Sequence, residues 1–269
     1  AAELIQAGAV EADSPAEAAR DTEGVLMSLA DDRASRDVMA RLTELGPDNG
    51  APVVVDMSTV SPATSRELRK MAPGHRFVAA PIVGGPSSVV AGQATGLLGG
   101  EQEHVRRLNA LWPDLFMVQR YCGEDPGSAL TYKLLNNYLL MAGLAVVAEA
   151  VATGQAAGLD ESMLRDFIHQ WPTVAPALHN RLDDLIAGDH RGWFTTRLGA
   201  KDVRLAVALA TSLGLDLPIA RLVEQRYEEA ADQGWADADI GAIIELIRER
   251  RQPPTGQPSQ PYGEPPYNY

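Results

Sequence analysis

Three short segments of this chain are apolar at nearly every position: GVLMSL at 24–29, APVVVDMS at 51–58 and FVAAPIVGG at 77–85. A strand with one face in water alternates apolar and polar residues, whereas a strand covered on both faces reads as a continuous apolar run. Helical patterns lie between them. DDRASRDVMARLTEL is one, and SPATSRELRKMA is another, with Ser61 as N-cap and Pro62 at the first helical position. Upstream, AELIQAG reads as a helix ending on Gly8 and AVEAD as a short strand, and SPAEAARD places Ser14, Pro15 and Glu17 as a capped helix start. Downstream, ATGLLGG reads as a further strand and EHVRRLNALW as a helix. Doubly buried strands alternating with helices define an α/β domain with a mostly parallel sheet covered on both sides.

The strand signal ends near residue 127. From there to 251 the pattern is helical, with one long helix at 127–157 and then shorter ones separated by Gly158, Pro172, Gly188, Gly214 and Pro218. The turn-rich YCGEDPGS at 121–128 marks the link, which gives an α/β domain at 1–124 and an all-helical domain at 125–251. The last stretch, 252–269, is rich in Pro, Gly, Gln and Tyr and is expected to be a disordered tail.

Composition narrows the function. The formal net charge of −13 disfavours a nucleic-acid partner, whose binding rests on Lys and Arg meeting phosphates. Cys122 is the single cysteine, so no intramolecular disulfide framework exists, which fits a reducing cytosol. No apolar run is expected to reach membrane-spanning length, because LLMAGLAVVAEAVA is interrupted by Glu149. His75, His104, His169, His179 and His190 are scattered without metal-ligand spacing, so no metal is expected. Trp171, Trp193 and Phe194 suit core or dimer contacts, although Trp193 and Phe194 precede the 197–206 helix closely enough to line a cleft.

Four segments carry polar groups where chemistry needs them, and each also has a purely structural explanation. In GSALTYKLLNNY at 127–138, Lys133, Asn136 and Asn137 share one face of a largely apolar helix. A lysine there can serve as a tunable proton donor, or it can snorkel while the amides cap a neighbouring turn. DMSTVSP at 56–62 puts Ser58, Thr59 and Ser61 past the carboxyl end of a buried strand, where open α/β sheets bind ligands and where helices are also capped. In APIVGGPSS at 80–88, Gly84 and Gly85 can offer backbone N–H groups to an anion or simply make a turn. RLGAKDVRLA at 197–206 sets a Lys-Asp pair on a mostly apolar helix.

Taken in this order, DMSTVSP, APIVGG with GLLGG, GSALTYKLLNN, EAVATGQAAGLD and KDVRLA resemble the β-hydroxyacid dehydrogenase family, which includes 3-hydroxyisobutyrate dehydrogenases and tartronate or succinic semialdehyde reductases. The resemblance runs to about residue 251. It implies a Rossmann-like parallel sheet followed by an all-helical domain that builds a homodimer or a dimer of dimers, NAD or NADP as cofactor, and a small hydroxy acid or its carbonyl partner as substrate. By the same resemblance Lys133 is the catalytic acid/base, and Gly84, Gly85 and Asn137 hold the substrate. Leu29, Ala30, Thr59 and Lys201 contact the cofactor, with Asp202 as the neighbour of Lys201.

Two departures qualify the match. The family opens with a strand, a G-x-G-x-x-G turn, a helix and a second strand ending in the NAD/NADP selector, and none of these is in the chain as given. The expectation is that a segment of about 30 residues, one βαβ unit, precedes it. Without that segment the pyrophosphate lacks its helix N-terminus and dinucleotide affinity falls. Val83 stands where members acting on carboxylates carry serine, and Ala30 where proline is usual, which points to a bulkier or less polar substrate. Two other functions fit the same fold: imine reduction, against which Lys133 speaks, and a non-catalytic dimeric module, against which the paired retention of Lys133 and Lys201 speaks.

Overall fold

The computed structural model describes residues 2–46 and 51–248. The disordered tail expected at 252–269 lies outside them. The described residues form two compact units, one drawn from Ala1–Gly84 and Ser88–Lys133, the other from Gly85–Ser87 and from Leu134 onward.

The α/β unit begins with helices α1 (Ala2–Gln6) and α2 (Pro15–Ala18). The predicted N-cap forms, with Ser14 Oγ accepting from the Glu17 amide at 3.1 Å, while the Glu17 carboxylate accepts from the amide of Asp13, one residue before the cap, at 2.8 Å. AVEAD is irregular rather than a strand. Then come β1 (Gly24–Met27), α3 (Asp32–Leu42), β2 (Val53–Asp56), α4 (Pro62–Met71) and β3 (Phe77–Ala79). After them follow β4 (Ile82–Val83), the single turn α5 (Pro86–Val90), β5 (Thr95–Gly100), α6 (Gln102–Arg107), α7 (Trp112–Leu115) and β6 (Val118–Gly123).

The strands form one sheet in the order β1-β2-β3-β5-β4, with β6 also on β5. Its β1–β2–β3 run is parallel, in the register Val54↔Phe77 and Met27↔Asp56. The sheet as a whole is mixed rather than parallel throughout, because β5 runs antiparallel to β3 and β4. A parallel return needs a crossover of about a dozen residues or more, and the chain between β4 and β5 is too short for one. FVAAPIVGG divides into β3 and β4 at Pro81, which has no N–H for a ladder. EHVRRLNALW breaks into α6 and α7 because Pro113 cannot continue a helix. The strand β6 was not expected at all, since its Gln119, Arg120 and Tyr121 are exposed and disguise it.

Alternation along the strands fills both faces, as predicted. Val54, Phe77, Ala79 and Leu97 point into a core with Met39, Leu42 and Leu68, whereas Val53, Val55, Val78 and Leu98 point into one with Val105, Trp112 and Phe116.

The helical unit takes most of α8 (Pro126–Ala156), followed by α9 (Glu161–Gln170), α10 (His179–Ala187), α11 (Thr196–Ser212) and α12 (Pro218–Ala230). A 3₁₀ segment, Ile240–Leu246, is almost wholly buried. Contrary to expectation, α8 is long and apolar enough to cross a membrane by length and composition. In the fold it is a core helix: Met141, Leu144, Ala148 and Val151 pack with Ile168, Leu182, Val203 and Ile244. Tyr227 is fully buried among them, its hydroxyl donating to the Met141 carbonyl at 3.3 Å, and burial pushes its pKa far up.

Candidate functional site

In the α/β unit, the loops after β1 and β2 lie at the carboxyl ends of parallel strands, where open α/β sheets place their ligands. Leu29 and Ala30 follow the first strand and Thr59 the second. The two loops are tied together: the Leu29 amide donates to Ser58 Oγ at 2.8 Å, and the Ser58 amide donates to Asp56 Oδ1 at 3.0 Å. Ser58 and Asp56 are both buried. A second tie runs through Asp32, whose carboxylate accepts from the Ser61 amide at 2.9 Å and from Thr64 Oγ1 at 2.8 Å. Ser61 is the N-cap of α4, accepting from the Thr64 amide, so its structural explanation holds. These bonds hold Leu29 and Thr59 in place, leaving Ala30 exposed and Thr59 half-buried. The same unit carries Gly84, at φ +137, a conformation that other residues rarely adopt, and the half-buried Lys133 in the second turn of α8.

Asn137, one turn further along α8, belongs to the helical unit and is 3% exposed. Its Oδ1 accepts from Asn136 Nδ2 at 3.1 Å, which directs its own Nδ2 to Asp202 Oδ2 at 2.6 Å. Lys201 Nζ lies 3.1 Å from the other oxygen, Asp202 Oδ1. Asp202 is 2% exposed and stands on the buried face of α11 with Val203 and Ala206. A carboxylate this deep is tolerable only when paired and hydrogen-bonded, and the amide and ammonium supply both. Thus the fold joins Asn137 to Lys201 through Asp202, the residue singled out in the sequence only as a neighbour.

Gly85 packs within the helical unit against Trp193. A Cβ on Gly85 would overlap Trp193 Cζ2 and lie 2.8 Å from Cε2 and Cη2, so only glycine fits beneath this ring. The indole is nearly parallel to Phe194 with centroids 6.0 Å apart, and the Arg181 guanidinium lies 4.5 Å from its centroid. Arg181 is buried and donates to Asp239 Oδ1 at 2.9 Å. Sequence reasoning missed this pair. The signal was present: Arg181 stands on α10 between Leu178 and Leu185, on the face that enters the core.

A second buried pair also escaped notice, His190 Nε2 to Glu245 Oε1 at 2.8 Å. Burial pushes the Glu245 carboxyl up, and the hydrogen bonds from His190 and Arg248 outweigh that, holding it below its ordinary range. Among the described residues no three His, Cys, Asp or Glu side chains converge as a metal set.

Comparison with known proteins agrees with this layout. Residues 1–114 match the model of the NAD binding domain of 6-phosphogluconate dehydrogenase, and residues 127–247 that of the NAD-binding region of NADP-dependent 3-hydroxyisobutyrate dehydrogenase. The mitochondrial 3-hydroxyisobutyrate dehydrogenase of Mus musculus is 27% identical over 260 residues, covering 92% of this chain and 76% of that protein. A solved 3-hydroxyisobutyrate dehydrogenase of Mycobacterium tuberculosis, with L-serine, is 25% identical at a TM-score of 0.72, covering 87% of this chain and 82% of that one. The fold is shared with the 3-hydroxyisobutyrate dehydrogenase of Salmonella typhimurium, at a TM-score of 0.82 and 22% identity over 91% of this chain and 87% of the other.

Proposed function

The chain belongs to the β-hydroxyacid dehydrogenase family, and we propose a role for each site residue in the reaction that follows from this. It is an NAD(P)-dependent oxidoreductase, moving a hydride between a nicotinamide cofactor and a small hydroxy acid or its carbonyl partner. The nicotinamide end of the cofactor fits the residues present. Leu29, Ala30 and Thr59 follow two parallel strands whose loops Ser58 ties together, and these three would hold it, together with Lys201. When bound, the nicotinamide supplies or accepts the hydride.

The chain's own residues handle the proton and the charge. In the reducing direction negative charge develops on the substrate oxygen, and the Lys133 ammonium donates a proton to it. In the oxidising direction the neutral amine takes that proton back. The Gly84 and Gly85 amides hold the substrate carboxylate, where backbone N–H groups suit an anion. Asn137 fixes Asp202, which fixes Lys201, so that ammonium keeps one position instead of sampling many. Residues 1–124 serve as the dinucleotide-binding domain and 125–251 as the substrate and dimerisation domain.

The observation that carries the assignment is the placement of Lys133 one turn before the buried, hydrogen-bonded Asn137 on a largely apolar helix. Replacing Lys133 by Ala in the active protein is expected to lower turnover by about 10²–10⁴-fold, the usual worth of general acid–base catalysis, with dinucleotide affinity within about twofold of wild type. A loss smaller than about tenfold would assign the proton to another group.

A further inference from the structure

The helix α11, which carries Lys201 and Asp202, is entered from a loop at 188–195 in which only His190 is buried. Apolar packing of the loop therefore does little to fix where the helix starts, and polar bonds do more. The stretch 236–240 lies antiparallel to the loop and bonds to it along its length. The Asp239 amide donates to the His190 carbonyl at 2.9 Å and the Ile240 amide to that of Phe194 at 2.9 Å. In return the Thr196 and Arg197 amides, at the start of α11, donate to the Ala238 and Ala236 carbonyls at 2.8 and 3.1 Å. Thr196 is wholly buried, and its hydroxyl lies 3.2 Å from the Ala238 carbonyl and 3.1 Å from that of Asp239.

This strap is itself anchored by one side chain. The Asp239 carboxylate is buried, and its Oδ1 accepts from Arg181 Nε of α10 at 2.9 Å and from the Gly241 amide at 3.1 Å. It packs so closely on the loop that a Cβ on Gly192 would overlap it. A carboxylate and a guanidinium this deep give up their hydration, and well-packed apolar residues often stabilise a core as well as such a pair. What apolar contact lacks is direction, which charge-assisted hydrogen bonds supply.

We infer that Asp239 is a positioning residue for the dinucleotide: through the strap and Thr196 it sets the start of α11, and hence the place of Lys201 in the second turn of that helix. This rests on Lys201 being a cofactor contact. Over so short a span a helix moves as a rod, so a shift at its start carries the Lys201–Asp202 pair with it. A misplacement of about 1 Å in a site can cost about 10²-fold.

The test uses the catalytically active protein, with NAD and NADP affinity measured by titration calorimetry and kcat and KM at steady state. The variants are Asp239→Ala, Thr196→Val, Lys201→Ala and each of the first two combined with Lys201→Ala. Lys201→Ala removes one charge-assisted contact and is expected to weaken dinucleotide binding about tenfold or more. Asp239→Ala is expected to weaken it at least about fivefold, with the dinucleotide KM rising alongside, yet less than about twofold once Lys201 is already Ala, because residues that act through one another are not additive. A strap that matters only for folding would lower the active fraction, and so kcat and the calorimetric stoichiometry, while leaving the dinucleotide Kd and KM unmoved. Thr196→Val removes only the hydroxyl bonds to the strap and stands in, at about threefold, if Asp239→Ala does not fold. If Lys201→Ala weakens binding but the strap variant acts equally with and without Lys201, or leaves Kd within about twofold, Asp239 does not position the cofactor contact. If Lys201→Ala itself leaves Kd within about twofold, the reading of Lys201 is what fails, and the inference falls with it.

Discussion

Asp202→Ala tests the polar core of the helical unit most directly. The substitution removes the acceptor of a 2.6 Å hydrogen bond from Asn137 and the counter-ion 3.1 Å from Lys201. A hydrogen bond to a charged group contributes about 1.5–3 kcal/mol, and leaving a buried donor unmet costs about 1–3 kcal/mol. Asn137 cannot turn its Nδ2 elsewhere, because its Oδ1 is engaged by Asn136. The Lys201 ammonium loses this counter-ion as well, but its side chain retains 17% exposure and can reach water, so this adds less than the 3–5 kcal/mol typical of a broken buried pair. Relief of the carboxylate's own desolvation subtracts from the total. The net loss should be about 3 kcal/mol, or roughly 6–12 °C in melting temperature for a chain of this size.

Urea unfolding of wild type, Asp202→Ala, Asn137→Ala and the double variant closes a thermodynamic cycle. Residues sharing one hydrogen bond of this kind couple by about 0.5–3 kcal/mol. A coupling below about 0.5 kcal/mol would refute the idea that Asn137 and Asp202 stabilise each other. Asp202→Asn keeps an acceptor for Asn137 and removes only the charge, so it should lose about half as much stability as Asp202→Ala.

Glu245 should make the helical unit acid-sensitive. Its carboxyl titrates lower in the folded chain than in the unfolded one, so its stabilisation is complete above the ordinary carboxylate range and is lost as pH falls through that range to the lower folded value. Glu245→Gln should lower stability by about 1–3 kcal/mol at pH 7 and flatten the urea midpoint between about pH 5 and 3; an unchanged acid limb would show that other carboxyls govern it. Gly96→Ala would set a methyl 2.7 Å from Phe116 Cγ, so calorimetry should show a loss of about 1–3 kcal/mol from overpacking, recovered by adding Phe116→Leu. The helical unit exposes Leu135, Leu139 and Val146 along α8, together with Met163 and Phe167 on α9. Large apolar side chains left exposed at this helical spacing along α8 are expected to be covered by a second copy of the chain, so light scattering should report a homodimer that Leu139→Glu dissociates. Monomer alone at micromolar concentration would count against it.

Much of the α/β unit could be read directly because its information is local. Val53, Val54 and Val55 are apolar in succession and all three are fully buried, and Ser61-Pro62 starts α4 where a cap and a rigid first residue dictate. Strand direction is not local. Nothing in TGLLGG says that β5 opposes β3; only the short return between β4 and β5 does, and its length was the available clue. The edge strand β6 escaped for the opposite reason, since exposed Gln119 and Arg120 carry no burial pattern. The same distinction separates the site residues. Lys133 and Asn137 share a helix, so their common face follows from periodicity alone, whereas Trp193 and Gly85 meet only through the tertiary fold. Even so, a physical rule narrows the long-range pairs. Arg181 and Asp202 both stand on helix faces whose neighbours are buried leucine, valine and alanine. Charges in such positions are rarely tolerated unless paired, so the apolar spacing around each one already demands a partner. For Asp202 the polar groups of the largely apolar α8 are the obvious suppliers, and Asn137 is the one that answers.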